Sequence, residues 1–229
     1  MMEVINEAIA ENLAPPVKVS VLGLFTVSEP VIICWVITLL LTVGAYLLTR
    51  NLKIVPSKSQ VILEASIGGF NNFCEAQLGK HWRPFAPWLG TLFLFLLFSN
   101  LLGLIGVMPP TKTLSLTAAL ALLSMLLIYG SQMRYRGLVG GLLQFSKPLP
   151  FMVPFNLLDM FTRPLSLCMR LFGNMMAAHM VMGMIHAVVP LVVPIVFSLY
   201  FDLFDGLMQA FVFVFLTLLF TSEGIHDHE

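Results

Sequence analysis

A few polar side chains stand where the chain is otherwise apolar: Arg163, Ser166, Arg170, Asn174, His179, His186, Asp202, Asp205 and Gln209. An arginine at the centre of a membrane helix costs about 2.5–3.5 kcal/mol on insertion scales, so it marks function by default. Arg170 holds that position in RPLSLCMRLFGNMMAAH, residues 163 to 179. Its guanidinium stays charged at any working pH and suits a fixed cation beside an ion route. The imidazole of His179 and the carboxylates of Asp202 and Asp205 are groups that pass protons. The bland alternatives are a salt bridge from Arg170 to Asp202 or Asp205, and an Arg163 that snorkels to the headgroups just before Pro164. His186 reads as packing, and His226, Asp227, His228 and Glu229 read as a tail rather than a metal site.

Helical geometry sorts these residues. At about 100° per residue, Arg163, Ser166, Arg170, Gly173, Asn174 and Ala177 share one stripe. Its other members are small, as close helix packing in a membrane requires. Arg170 therefore faces a partner surface, while His179 points to the opposite side. Asp202, Asp205, Gly206 and Gln209 share a face of the last apolar segment.

The elements that must position them are membrane helices. The chain is 58% hydrophobic and 10% charged, with mean hydropathy +0.92; soluble domains carry about 25% charged residues. Continuous apolar runs of helix-spanning length exclude a barrel, whose strands alternate. The expected class is an all-α polytopic membrane protein, with about five membrane helices plus an interfacial amphipathic helix, the last two long and strongly tilted. A net charge of zero without a basic cluster gives no nucleic-acid partner.

The expected order is an extracytoplasmic segment over 1–29, a first membrane helix over 30–49, and an amphipathic helix over 56–79. In the latter, Ser57 and Gln60 have capping-box spacing. A membrane hairpin follows over 84–133, then a cytoplasmic loop over 134–152, two long helices forming the ion path over 153–221, and a tail over 222–229. All belong to one domain. Val4, Ile5, Ala8 and Ile9 suit a short surface helix, and the acidic start does not read as a signal or transit peptide. Arg50, Lys53, Lys58, Lys80 and Arg83 flank the amphipathic helix, and Arg134, Arg136 and Lys147 follow the third span. The positive-inside rule places both groups and the C-terminus in the cytoplasm. Cys34, Cys74 and Cys168 read as small buried hydrophobes.

The segment RPLSLCMRLFGNMMAAH resembles the signature of subunit a of the F-type ATP synthase, the membrane stator beside the rotating c-ring. Pro164, Leu165, Ser166, Leu167, Arg170, Leu171, Phe172, Gly173 and Asn174 stand in the family's order. SNLLGL, PPTKTLSLT and MQAFVF extend the resemblance across nearly the whole chain, supplying Asn100 and Gln209. It implies two offset half-channels serving a carboxylate on each c-subunit, with Arg170 between them as the gating charge. Asn100, Ser166, Asn174, His179, Asp202, Asp205 and Gln209 would line the ion path, and Arg163, Gly173 and Ala177 would face the c-ring.

His179 with Asp202 exchanges the glutamate–histidine pair of many bacterial members and is similar to the mitochondrial arrangement; either order leaves one imidazole and one carboxylate. Ser115 replaces a frequent asparagine, and Lys112 is unusual in its loop. The implied partners are the c-ring, the subunit b peripheral stalk, the lipid bilayer and the transported H⁺ or Na⁺. The implied location is a bacterial inner membrane, with no cofactor, no metal and no catalytic activity of the chain's own. The rival reading is a stand-alone secondary transporter or channel, for which the sequence lacks an inverted repeat. A purely structural scaffold leaves Arg170 and the acidic pair unexplained.

Overall fold

The computed structural model describes residues 18–21, 25–50, 52–54, 56–105, 107, 109–143, 153–188 and 193–226. Two short strands come first, β1 (Lys18–Val21) and β2 (Phe25–Ser28). They pair antiparallel with Lys18 opposite Ser28 and Val21 opposite Phe25. The sequence reading gave this segment no strands, although its valines and threonine favour a pleated chain. The surface helix expected near Val4 lies outside the described residues.

The remainder is helical: α1 (Glu29–Thr49), α2 (Lys58–Leu78), α3 (Ala86–Leu101), α4 (Leu114–Leu143), α5 (Val153–Val188), α6 (Val193–Ser198) and α7 (Gly206–His226). A π-helical segment, Leu199–Asp205, joins α6 to α7. Among the described residues, five stretches are long and apolar enough to cross a bilayer: Glu29–Thr49, Ala86–Ile105, Leu114–Met133, Met160–Ile185 and Val196–Glu223. The protein is an all-α polytopic membrane protein in class, with the short hairpin as an addition.

Three boundaries differ from expectation. Helix α4 continues to Leu143, through residues read as the start of a loop. Gly140 and Gly141 lie in that stretch, but a cost of about 1 kcal/mol each does not stop a helix already running. The last segment is not one uniform helix, because the π turn interrupts it. The capping box is not formed: Ser57 occupies the N-cap without a side-chain cap bond, and Gln60 turns back to Lys53 instead.

Helix α1 shows how a spanning helix tolerates polar residues. Only Pro30 and Ile37 are buried, whereas Trp35, Leu39, Leu40 and Tyr46 are exposed. The hydroxyls of Thr38, Thr42 and Thr49 donate to the carbonyls of Cys34, Thr38 and Ala45 at 2.7–2.8 Å. Each polar group is thus satisfied within the helix, as hydrocarbon demands.

The chain divides into two compact units. One comprises Met1–Thr42, Leu94–Thr117 and Met169–Phe211. The other comprises Val43–Phe93, Ala118–Cys168 and Val212–Glu229, and aromatic packing holds it. Phe70 stacks on Phe93 with ring centroids 6.1 Å apart, and Phe73 tilts on Phe215 at 5.9 Å. Cys74 and Leu78 of α2 are fully buried beside these rings, and the Ser222 hydroxyl donates to Gln77 O at 2.6 Å. Helix α2 therefore buries one face and exposes Val61, Ile62 and Ile67, as an interfacial helix does.

Candidate functional site: Arg170 and a cavity bordered by His179 and Asp202

Helix α5 carries both arginines, and they have different surroundings. In the second unit, Arg163 Nη1 lies 2.9 Å from Glu223 Oε2, with the guanidinium 4.7 Å from the Phe220 ring centroid. Its charge thus has a carboxylate partner within the chain. Pro164 follows inside the helix; lacking an N–H, it leaves a carbonyl one turn earlier without its helical donor. Ser166 is exposed.

In the first unit, Arg170 is half-buried. Among the described residues it makes no hydrogen bond or ion pair, so the salt bridge to Asp202 or Asp205 is not formed. Gly173, Asn174 and Ala177 on the same stripe are exposed, and a side chain built on Gly173 would meet nothing within 4 Å. The face bearing Arg170 is bare.

Asn174 Nδ2 donates to Gln209 Oε1 at 2.8 Å. Gln209 is 4% exposed, and its own Nε2 has no partner. A buried donor left unpaired costs about 1–3 kcal/mol, so each such group needs a reason. This one lies a single hydrogen bond from the turn that follows Arg170.

His179 and Asp202 line one cavity of about 650 Å³, with Gly103, Met175, Pro109 and Ser198 among its other walls. That volume is far more than one water needs. His179 and Asp202, expected to face each other, both border this cavity. Asp202 is held in place from two sides. Ser198 Oγ donates to its Oδ2 at 2.6 Å. Gly103 leaves room for the carboxylate: a Cβ there would stand 2.6 Å from Asp202 Oδ1. Neither Ser198 nor Gly103 was singled out in the sequence. A serine four residues before an acid was the available signal for the first.

Asp202 and Asp205 belong to the π segment, where the Gly206 N–H donates to Phe201 O, five residues back. π turns are rare and often mark functional sites. Here the extra residue per turn is accommodated beside stacked rings, with Tyr200 5.7 Å from Phe204 between centroids. Asp205 is half-buried and makes no hydrogen bond or ion pair among the described residues.

Asn100, expected on the ion path, is bonded on both sides. It is 1% exposed, donates from Nδ2 to Gly206 O at 2.9 Å, and accepts from Thr111 Oγ1 at 3.0 Å. It does not line the cavity. In an apolar core its amide is used to tie the end of α3 to the start of α7. Gly206 permits the approach, since a Cβ there would stand 3.0 Å from Asn100 Cβ. Next to this tie, Lys112 is buried, and burial pushes its ammonium down to about 8. The side chain of His186 and the tail beyond His226 lie outside the described residues. Among the described residues, no group of three or more His, Cys, Asp or Glu could hold a metal ion.

The family model for the ATP synthase A chain matches residues 31–222, from the start of α1 to near the end of α7. The chain belongs to that family. "ATP synthase subunit a" of Moorella thermoacetica is 36% identical over 93% of this chain and 98% of its own length. "ATP synthase subunit a 2" of Bradyrhizobium sp. is 38% identical over 71% of this chain and 74% of its own. "ATP synthase subunit a, sodium ion specific" of Propionigenium modestum is 33% identical over 90% and 76%. The subunit a match takes in every candidate residue discussed above, since Asn100, Arg170 and Gln209 all fall inside it.

Proposed function

We propose that this chain is the ion-translocating stator subunit of an F-type ATP synthase, working against a ring of c-subunits and held by a peripheral stalk of subunit b. Two offset half-channels, one from each side of the membrane, lead ions to and from the ring carboxylates, and Arg170 separates them. The observation that carries this reading is Arg170 itself: half-buried, unpaired among the described residues, on a bare face with Gly173 and Ala177.

As a protonated ring carboxyl group approaches, the guanidinium favours its ionised form and the proton leaves. Two charges 4 Å apart interact by about 4 kcal/mol at an effective dielectric of 20, or about three pKa units. That is enough to switch a carboxyl group. The same charge repels any ion moving directly between the half-channels, so passage requires the ring to turn. His179 and Asp202 act as a relay in their cavity. Gln209 Nε2 and Asp205 supply further polar groups near the exchange point, and Ser166 borders the ring. The chain performs no chemistry on nucleotide; torque on the ring is its product.

The last two membrane segments tilt to lie along the ring, and the basic flanks of α2 put the C-terminus in the cytoplasm of a bacterium. The histidine relay favours H⁺ as the coupling ion. The sodium-specific relative from Propionigenium modestum keeps Na⁺ as the second reading.

ATP-driven ion uptake into inverted membrane vesicles tests the proposal, comparing wild type with Arg170→Ala while H⁺ and Na⁺ are recorded separately. The expected result is loss of uptake in a complex that still assembles and hydrolyses ATP. Uptake at the wild-type rate would overturn it.

A further inference from the structure

The second unit contains a cavity of about 590 Å³ at the turn between α1 and α2, remote in sequence from every residue of the ion path. Its walls include the cations Arg50 and Lys53 and the hydroxyls of Ser57 and Ser59. Leucines 47, 48, 52 and 63 form its apolar side. Leu47 and Leu48 end the first membrane-spanning stretch and Arg50 lies just beyond it, so the cavity straddles the hydrocarbon boundary. Neither Arg50 nor Lys53 makes an ion pair among the described residues.

The turn is held in shape. Lys53 N–H donates to Gln60 Oε1 at 3.1 Å, and Gln60 Nε2 donates to Lys53 O at 3.0 Å. Gln60 Nε2 also donates to Glu64 Oε1 at 2.7 Å, which turns the nearest carboxylate to the glutamine; Glu64 does not line the cavity. The start of α2 adds to the positive field. Ser57 gives no side-chain cap, its hydroxyl lying 3.1 Å from that of Ser59, and no acidic residue stands in the first turn. Its first N–H groups lack intrahelical acceptors.

We infer that this cavity binds a phosphate group, with the headgroup of an anionic phospholipid as its occupant. Arginine presents a fork that matches phosphate oxygens, lysine adds a point charge, and the hydroxyl left free by the Ser57–Ser59 hydrogen bond donates. Uncapped helix N–H groups complete an anion cradle. The leucine wall distinguishes a lipid from a free anion, because it gives glycerol and acyl carbons a surface to cover.

The test uses the assembled complex in detergent, incubated with mixed micelles of phosphatidylcholine and phosphatidylglycerol, then washed. Retained lipids are read by mass spectrometry. Wild type should retain phosphatidylglycerol selectively, and Arg50→Gln with Lys53→Gln should lower that retention about tenfold or more, from roughly 1 kcal/mol per cation. Lys80→Gln, a basic residue outside the cavity, should leave it unchanged. A parallel arm offers radiolabelled inorganic phosphate with phosphatidylcholine alone. Retention of that label, lost in the same variants, would keep the phosphate site and reassign its source to free phosphate. Absence of selective retention in both arms, or an equal loss in Lys80→Gln, would overturn the inference. Each single variant is measured too, so that a failure of the double variant to assemble leaves the question answerable.

Discussion

Arg163 and Arg170 stand two turns apart on the same helix. Arg163 has what a buried cation ordinarily requires, a carboxylate at 2.9 Å and an aromatic ring under its plane. Arg170 has neither among the described residues, and Gly173 and Ala177 on its stripe are small and exposed. Side chain and helix are the same, so the contrast lies in what surrounds each. A satisfied arginine holds the fold together. On the proposed reading, an unsatisfied one is held available for a charge that arrives from elsewhere.

That contrast breaks most visibly if the two arginines respond alike to removal. Arg170→Ala should lower ATP-driven ion uptake about a thousandfold, the equivalent of a lost interaction of about 4 kcal/mol. Asp202→Asn should lower it about a hundredfold by removing a proton acceptor from the cavity that His179 shares, leaving assembly unchanged. Gly103→Ala sharpens the point without touching a charged residue. Its new methyl would displace the Asp202 carboxylate, and uptake should fall about tenfold from misplacement alone.

Lys112 extends the comparison to pH. Burial lowers its ammonium from 10.5 to about 8, so between those values the unfolded chain binds more protons than the folded one. Stability therefore rises as pH climbs from about 8 to about 10.5, and below about 8 the full cost of the buried charge is present. Lys112→Met should flatten that rise, as read from thermal unfolding of the complex at about pH 8 and about pH 10.5. Arg163→Ala should give the smallest effect. Glu223 is 54% exposed and stays hydrated when its partner goes, so the loss should be about 1 kcal/mol of stability with uptake within about twofold of wild type.

The sequence was most legible where apolar length and proline set the boundaries. Helix α5 runs from Val153 to Val188, the limits expected from its apolar run and the PLVVP break. The position of Arg170 on a stripe with Gly173 and Ala177 followed from residue type and a 100° period, whereas the cavity bordered by His179 and Asp202 did not. Three further features did not follow. The π turn changes the local period, and stacked rings accompany it, which pattern reading at a fixed angle misses. Gly103 and Ser198 act by contact with Asp202, and for Gly103 that contact spans about a hundred residues. The resemblance implies an ion-path role for Asn100 and a ring-facing one for Arg163, and the contacts each makes inside the chain, with Gly206 and Glu223, were not legible in the sequence. Arg170 differs from both: among the described residues its bonds are left unmade, and its face is open to a partner at Gly173 and Ala177.

The most direct test of that statement is cross-linking. Single cysteines at Gly173 and Ala177, on the bare face, and at Leu126, 70% exposed on α4, would be introduced into the assembled complex. A thiol-reactive linker would then be offered. The account predicts that Gly173→Cys and Ala177→Cys cross-link to the ring subunit and that Leu126→Cys does not. Cross-linking at Leu126 with none at Gly173 or Ala177 would contradict it, because Arg170 would then face lipid.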